Sequence, residues 1–174
     1  LEYSTADEKL EFFEKIEIKN IFYKYPQKKE FVLKDVSLNI FKNNIIGIKG
    51  QTGGGKSTLL KIILGLLKPN KGNLNVNGID VHLKKQLSNW FDKIAYVPQE
   101  IYLINDTIKK NILFGSNENE IDTERYKLSI NLSNCDQFLE NLEDGENTIV
   151  GENGLKLSGG QKQIVWLLRS LFRM

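Results

Sequence analysis

Apolar and polar positions alternate through the first third of the chain. "EKIEIKNIFYKY" is rich in Ile, Phe and Tyr at a two-residue period and predicts a strand. "YPQKKE" follows as a turn. "FVLKDVSLNIF" alternates again, with Val32, Asp35, Ser37 and Asn39 breaking any helical stripe. "NNIIGIKG" predicts a short buried strand ending in glycine. The period then lengthens: Leu59, Leu60, Ile62, Ile63, Leu66 and Leu67 fall at helical spacing, and "KPNKG" closes that helix. "NLNVNG" reads as a short strand, "LKKQLSNWFDK" as a helix and "IAYVPQ" as a second buried strand stopped by proline. From Asp106 to about Leu142 the pattern is helical with a polar break at "GSNENE"; "GENTIVGENG" is a glycine-rich loop, and an apolar helix runs from Ser158. Strands first, then strand–loop–helix, then helices predict an α/β domain with a β subdomain at its front.

Composition narrows the class without choosing a function. The chain has 174 residues, 40% of them hydrophobic and 26% charged, enough for a core of ordinary make-up. Lys and Arg number 24 against 22 Asp and Glu, and a net charge of +2 argues against a nucleic-acid partner. Cys135 is the one cysteine, so no intrachain disulfide exists. No apolar run approaches the roughly 18 residues of a membrane span. "LEYSTADEKLEF" has no signal-peptide pattern.

Chemistry enters at residues 50–58, "GQTGGGKST", which match G-x-x-x-x-G-K-[ST] between a predicted strand and a predicted helix. Gly50, Gln51, Thr52, Gly53, Gly54 and Gly55 form a loop whose backbone N–H groups can approach phosphate oxygens. The following helix turns its positive end toward the same anion. Lys56 can reach the β- and γ-phosphates, Ser57 offers a hydroxyl to Mg²⁺, and Thr58 adds a donor near the α-phosphate. This motif predicts ATP or a similar nucleotide but does not select an enzyme class.

Five stretches together do select one. "LSGGQ", comprising Leu157, Ser158, Gly159, Gly160 and Gln161, resembles the signature of ATP-binding cassette (ABC) ATPases. "FYKYP" resembles the aromatic loop of that family, "YVPQE" its Q-loop, "LINDTIKKNILFG" the segment after it in exporter-type members, and "TIVGENG" the exporter X-loop. The resemblance runs from about residue 16 to the end. It implies a P-loop NTPase core with a parallel sheet, an N-terminal antiparallel β subdomain and an α-helical subdomain. It also implies Tyr25 stacking on adenine, with Phe22 and Tyr23 as neighbours able to substitute, and Gln99 touching Mg²⁺ and water. Lys56 and Gln99 are then the catalytic candidates of this chain. Residues 157–161 would contact the ATP held by a second ABC domain, in a homodimer or a heterodimer. Glu152 would lie near the contact with a membrane domain. Trp166 is bulky for a helix position that is often small in this family. His82, far before the signature, is expected at the surface, and Cys135 as a small packed side chain.

The resemblance also implies what should follow: an apolar strand with a metal-orienting aspartate, a general-base glutamate, a D-loop and a switch histidine. Residues 162–174 contain no acidic side chain. The chain is therefore expected to be part of a longer exporter, with the C-terminal part of the core missing. Residues 1–15 would be a linker from a membrane domain, and 16–174 a partial ATP-binding domain. Within it, 16–80 hold the β subdomain and phosphate loop, 81–157 the Q-loop and helical subdomain, and 158–174 the signature helix. The expected setting is the cytoplasmic face of a bacterial inner membrane. The expected work is export or flipping of a substrate such as a lipid-linked oligosaccharide, polysaccharide or lipid. The alternatives are an ATP-binding module without turnover, or a soluble ABC protein acting on ribosomes or DNA.

Overall fold

The computed structural model describes residues 14–116, 121–132 and 135–173, which form two compact units, Leu1–Ile94 and Ala95–Met174. The expected linker at residues 1–15 lies, up to residue 13, outside the described residues.

In the first unit, β1 (Lys15–Tyr23), β2 (Leu33–Phe41), β3 (Lys71–Val76) and β4 (Ile79–Asp80) make an antiparallel sheet in the order β2-β1-β3-β4. The alternation of β1 buries Ile16 and Ile18, then Ile21 and Tyr23. The change of phase occurs at Asn20, which adopts φ 48° within a register shift. This one-residue bulge keeps both apolar pairs on one face. The bulge is tied down by Ser37 Oγ, which accepts from the Asn20 N–H at 2.9 Å, and by Asp35, which accepts from the Asn20 side chain at 2.8 Å. Asn77 and Gly78, both at positive φ, form the two-residue turn between β3 and β4.

The helix after the phosphate loop, α1 (Lys56–Ile63), is shorter than its apolar pattern predicts. Gly65 stops it at φ 76° in a Schellman arrangement, with the Gly65 N–H on Ile62 O and the Leu66 N–H on Lys61 O, both 2.9 Å. A Cβ at Gly65 would stand 2.8 Å from Leu87, so the stop also makes room for α2 (Lys84–Phe91). Trp90 of α2 is buried and donates its indole N–H to Ile63 O at 2.9 Å. Leu59 and Ile62 of α1 close the core against Ile18, Ile21 and Leu74.

The second unit is helical: α3 (Ile108–Ile112), α4 (Thr123–Leu132), α5 (Asp136–Glu140) and α6 (Gly159–Arg173). Ile108, Ile112, Val150, Val165 and Leu168 are its fully buried centre. Residues 148–150 run beside the segment before α3, with the Ile108 N–H on Thr148 O and the Val150 N–H on Asp106 O, both 3.0 Å.

Two expectations are corrected. Residues 45–49 and 94–98, predicted as buried strands, belong to no ladder, and no parallel sheet forms among the described residues. Ile45 is 100% exposed, and Ile46, Ile48, Tyr96 and Val97 are exposed as well. An apolar run becomes a buried strand only when neighbouring strands satisfy its N–H and C=O groups. His82 is half-buried rather than at the surface. Its Nε2 is enclosed without a hydrogen-bond partner, and burial pushes the imidazole pKa down.

Candidate nucleotide site and signature turn

The phosphate loop owes its shape to backbone that only glycine adopts easily. Gly53 and Gly55 sit at φ 79° and 84°. Gly55 is the N-cap of α1, and a Cβ there would lie 2.8 Å from Leu33 Cδ2 and 3.2 Å from Val32 O. The loop is therefore pressed onto the start of β2. Within the loop the Gly54 N–H donates to Gln51 O at 3.1 Å. Among the described residues, the N–H groups of Gly53, Gly55, Lys56 and Ser57 have no partner within the chain. They form a run of free donors at the positive end of a helix, which is the arrangement an anion requires.

The Lys56 side chain folds back on the start of the loop. It donates to Gly50 O at 2.8 Å and to Gln51 O at 2.7 Å, bridging the neck of the loop. Ser57 is exposed beside it, whereas Thr58 is buried. The Thr58 hydroxyl lies 3.1 Å from that of Tyr25. Tyr25 is half-buried and packs edge-on to Tyr23, with ring centroids 5.1 Å apart. Its position is thus set from two sides, by a buried aromatic and by the first turn of α1.

In the second unit Gln99 is exposed on a bend, preceded by residues that join no ladder. Leu157 is buried and anchors the signature turn. The Ser158 N–H donates to Gln161 Oε1 at 2.8 Å, and the Gln161 N–H donates to Ser158 Oγ at 3.3 Å. This reciprocal pair is a capping box that starts α6. Its sequence signal is the spacing S-x-x-Q, so Ser158 and Gln161 carry a folding role beside the anion chemistry expected of them. Gly159 and Gly160 have no positive φ, and a Cβ added at either would meet nothing within 4 Å. Packing among the described residues therefore supplies no reason for two glycines in succession.

Two polar clusters of the second unit, one buried and one half-buried, carry no signal in the sequence pattern. Asn111 is fully buried, accepts from the Ile104 N–H at 2.9 Å and donates to Ile104 O and Thr107 O at 3.0 Å. Arg169 of α6 donates to Asn111 O at 2.6 Å and to Asn111 Oδ1 at 3.1 Å. Among the described residues no carboxylate pairs with Arg169, which lies instead against the rings of Trp166 and Phe114, 4.5 and 5.1 Å from their centroids. Burial, with Arg173 nearby, lowers its pKa to about 10, so it remains charged at neutral pH. Beside the X-loop stretch, Glu146 accepts from Lys109 Nζ at 2.6 Å and from the Tyr126 hydroxyl at 2.7 Å. Burial would raise the Glu146 pKa, but these two donors hold it below the ordinary value. Glu152 is exposed on a single 3₁₀ turn, Glu152–Gly154, and Cys135 is buried.

Both nucleotide and metal fit this chemistry. The free N–H run and Lys56 suit a polyphosphate. The Ser57 hydroxyl and the Gln99 side-chain carbonyl are hard oxygen donors of the kind Mg²⁺ takes beside phosphate and water. Among the described residues no cluster of three His, Cys, Asp or Glu could hold a metal unaided.

Comparison with known proteins agrees with this geometry. The profile of the ABC transporter family matches residues 33–174. An export ATP-binding/permease protein of Rickettsia prowazekii is 39% identical over 161 residues, covering 91% of this chain and 27% of the relative. An ATP-dependent lipid A-core flippase of Photorhabdus laumondii is 34% identical over 158 residues, with the same coverage. A bacterial Atm1-family ABC exporter solved with ATP bound superposes with a TM-score of 0.79 at 28% identity, over 92% of this chain and 27% of that one. The fold is thus that of the P-loop ATP-binding domain of such exporters. The chain spans about a quarter of the length of these relatives. With a phosphate loop, a Q-loop and a signature turn in family order, and a family match over most of its length, the chain belongs to the ABC transporter family.

Proposed function

We propose that the chain is the ATP-binding part of an exporter, and that it works by closing on a second ABC domain around nucleotide. The observation that carries this reading is the run of N–H groups at 53 and 55–57 without a partner among the described residues, in a loop whose start is bridged by the Lys56 ammonium. Bound ATP would exchange the Gly50 and Gln51 carbonyls for phosphate oxygens at Lys56. Mg²⁺ would draw on Ser57 and Gln99, neutralising charge on the β- and γ-phosphates. Tyr25 would present its ring to the adenine.

The paired glycines at 159 and 160 support the second half of the proposal. Among the described residues no atom from elsewhere in the fold crowds them, and backbone that must be approached closely from outside is a reason to keep a Cβ away. Residues 157–161 would then meet the γ-phosphate held by the partner domain, making the nucleotide the glue of the dimer. Its hydrolysis would remove that glue.

Names of the relatives support export by a chain that joins this domain to a permease; such a chain would work from the cytoplasmic face of the inner membrane. Among the described residues no helix is long and apolar enough to cross a membrane. One relative is a lipid A-core flippase, which supports a lipid, a lipid-linked oligosaccharide or a polysaccharide as cargo. Residues 162–174 hold no carboxylate to take a proton from attacking water. The 174-residue chain is therefore expected to bind ATP without turnover, while the longer protein hydrolyses it.

The test is Mg-ATP binding and phosphate release by the chain and by Lys56→Ala. Binding that is lost in Lys56→Ala, without phosphate release, supports the proposal. Equal binding by both removes the nucleotide reading, and Lys56-dependent turnover removes the claim that this chain lacks a base.

A further inference from the structure

Trp166 lies about two helical turns beyond Ser158 on α6. Its indole N–H donates to the backbone carbonyl of Tyr96 at 2.7 Å, three residues before Gln99. Ser170, one turn further on, donates to the same carbonyl at 3.5 Å. Residues 95–97 are exposed and belong to no ladder. The backbone that leads into the Q-loop is thus held at one carbonyl by two side chains of the signature helix.

The indole ring is held on its face as well. The Arg169 guanidinium stacks against it at 4.5 Å, and Arg169 is locked by its two hydrogen bonds to the fully buried Asn111. An indole N–H is a donor only, and its ring is rigid over two torsions. A shorter side chain on this turn of α6 could not span from Arg169 to Tyr96. The bulk of the tryptophan therefore has a definite place.

We infer that Trp166 is a positioning residue that ties the backbone entering Gln99 to the helix bearing the signature turn. A displacement of Gln99 is thereby carried into residues 158–161, and the reverse. The inference rests on the nucleotide reading above, because it gives Gln99 its contact with the metal at the β- and γ-phosphates.

A double-mutant cycle on the full 174-residue chain tests it, using Trp166→Phe, Gln99→Ala and the pair, with Mg-ATP and Mg-ADP as probes. Trp166→Phe keeps an aromatic ring against Arg169 and removes the N–H. If Trp166 acts through Gln99, its loss weakens Mg-ATP binding by about fivefold, the worth of one hydrogen bond. It leaves Mg-ADP binding unchanged and adds nothing once Gln99 is Ala. Equal weakening of ATP and ADP, or full additivity of the two substitutions, overturns the inference and makes Trp166 a packing residue. Failure of the nucleotide reading looks different: the unsubstituted chain and Lys56→Ala would then bind Mg-ATP alike. Should Trp166→Phe not fold, the indole ¹⁵N–¹H resonance of Trp166 in the unsubstituted chain carries the test. A shift that saturates with Mg-ATP but is absent with Mg-ADP supports the tie, and an unmoved resonance at saturating Mg-ATP overturns it.

Discussion

The hydroxyl of Tyr25 lies 3.1 Å from the hydroxyl of Thr58, joining the end of the first strand's aromatic run to the first turn of the helix behind the phosphate loop. Thr58 is buried and Tyr25 half-buried, so this contact is shielded from competing water. Tyr25→Phe keeps the ring against Tyr23 and removes the contact. We expect a loss of about 1 kcal/mol in stability, read by urea unfolding, with a several-fold weaker Mg-ATP affinity. An unchanged affinity beside reduced stability would assign the hydroxyl to folding alone.

Two glycines should answer differently to the same substitution. Gly55→Ala places a Cβ 2.8 Å from Leu33 at a positive φ and should cost about 1–3 kcal/mol and abolish nucleotide binding. Gly159→Ala meets nothing within 4 Å, and alanine favours the helix over glycine by about 1 kcal/mol. Its melting temperature should hold or rise while any ATP-dependent dimer, followed by light scattering, disappears. A dimer that survives Gly159→Ala would remove the signature turn from the interface.

Glu146 makes stability depend on acid. Its pKa is lowered in the folded chain by Lys109 and Tyr126 against the opposing effect of burial. The stability it contributes is thus present above the ordinary carboxylate range and is lost as pH falls through the lowered folded value. Between pH 7 and pH 3 the urea midpoint should fall further for the unsubstituted chain than for Glu146→Gln. Parallel curves would mean that Glu146 does not sense folding. At the alkaline end, burial and the Glu146 contact raise the Tyr126 pKa. Stability should therefore also decline once pH passes the ordinary phenol range.

Arg169 is charged, buried and held by the oxygens of Asn111 rather than by an acid. Arg169→Lys keeps the charge but cannot present two N–H groups in a fork. It should destabilise by about 2–4 kcal/mol, the range for a buried charge that loses its hydrogen bonds. Arg169→Met, which removes the charge, should be tolerated better than Arg169→Lys. The reverse order, measured by urea unfolding, would show that the cation itself is what the site requires.

Chemistry written in a few adjacent residues is legible in the sequence by itself. The loop at 50–58 depends on glycine torsions and a helix start, both settled within one turn of chain. The strands β1 and β2 follow from alternation, although the bulge at Asn20 needs Ser37 and Asp35 on the neighbouring strand. Even the capping box at Ser158 and Gln161 spans only four residues and is readable from its spacing. What lies beyond the sequence is the pairing of distant residues. Asn111 and Arg169 are separated by 58 positions, and Tyr96 and Trp166 by 70. No period or propensity encodes which buried amide receives which guanidinium. The runs at 45–49 and 94–98 make the same point from the other side. Their side chains specify apolar, extended backbone, whereas burial depends on strands that pair with them. A ladder is a property of two segments, so tertiary structure alone decides whether Ile45 is a core residue or, as here, fully exposed.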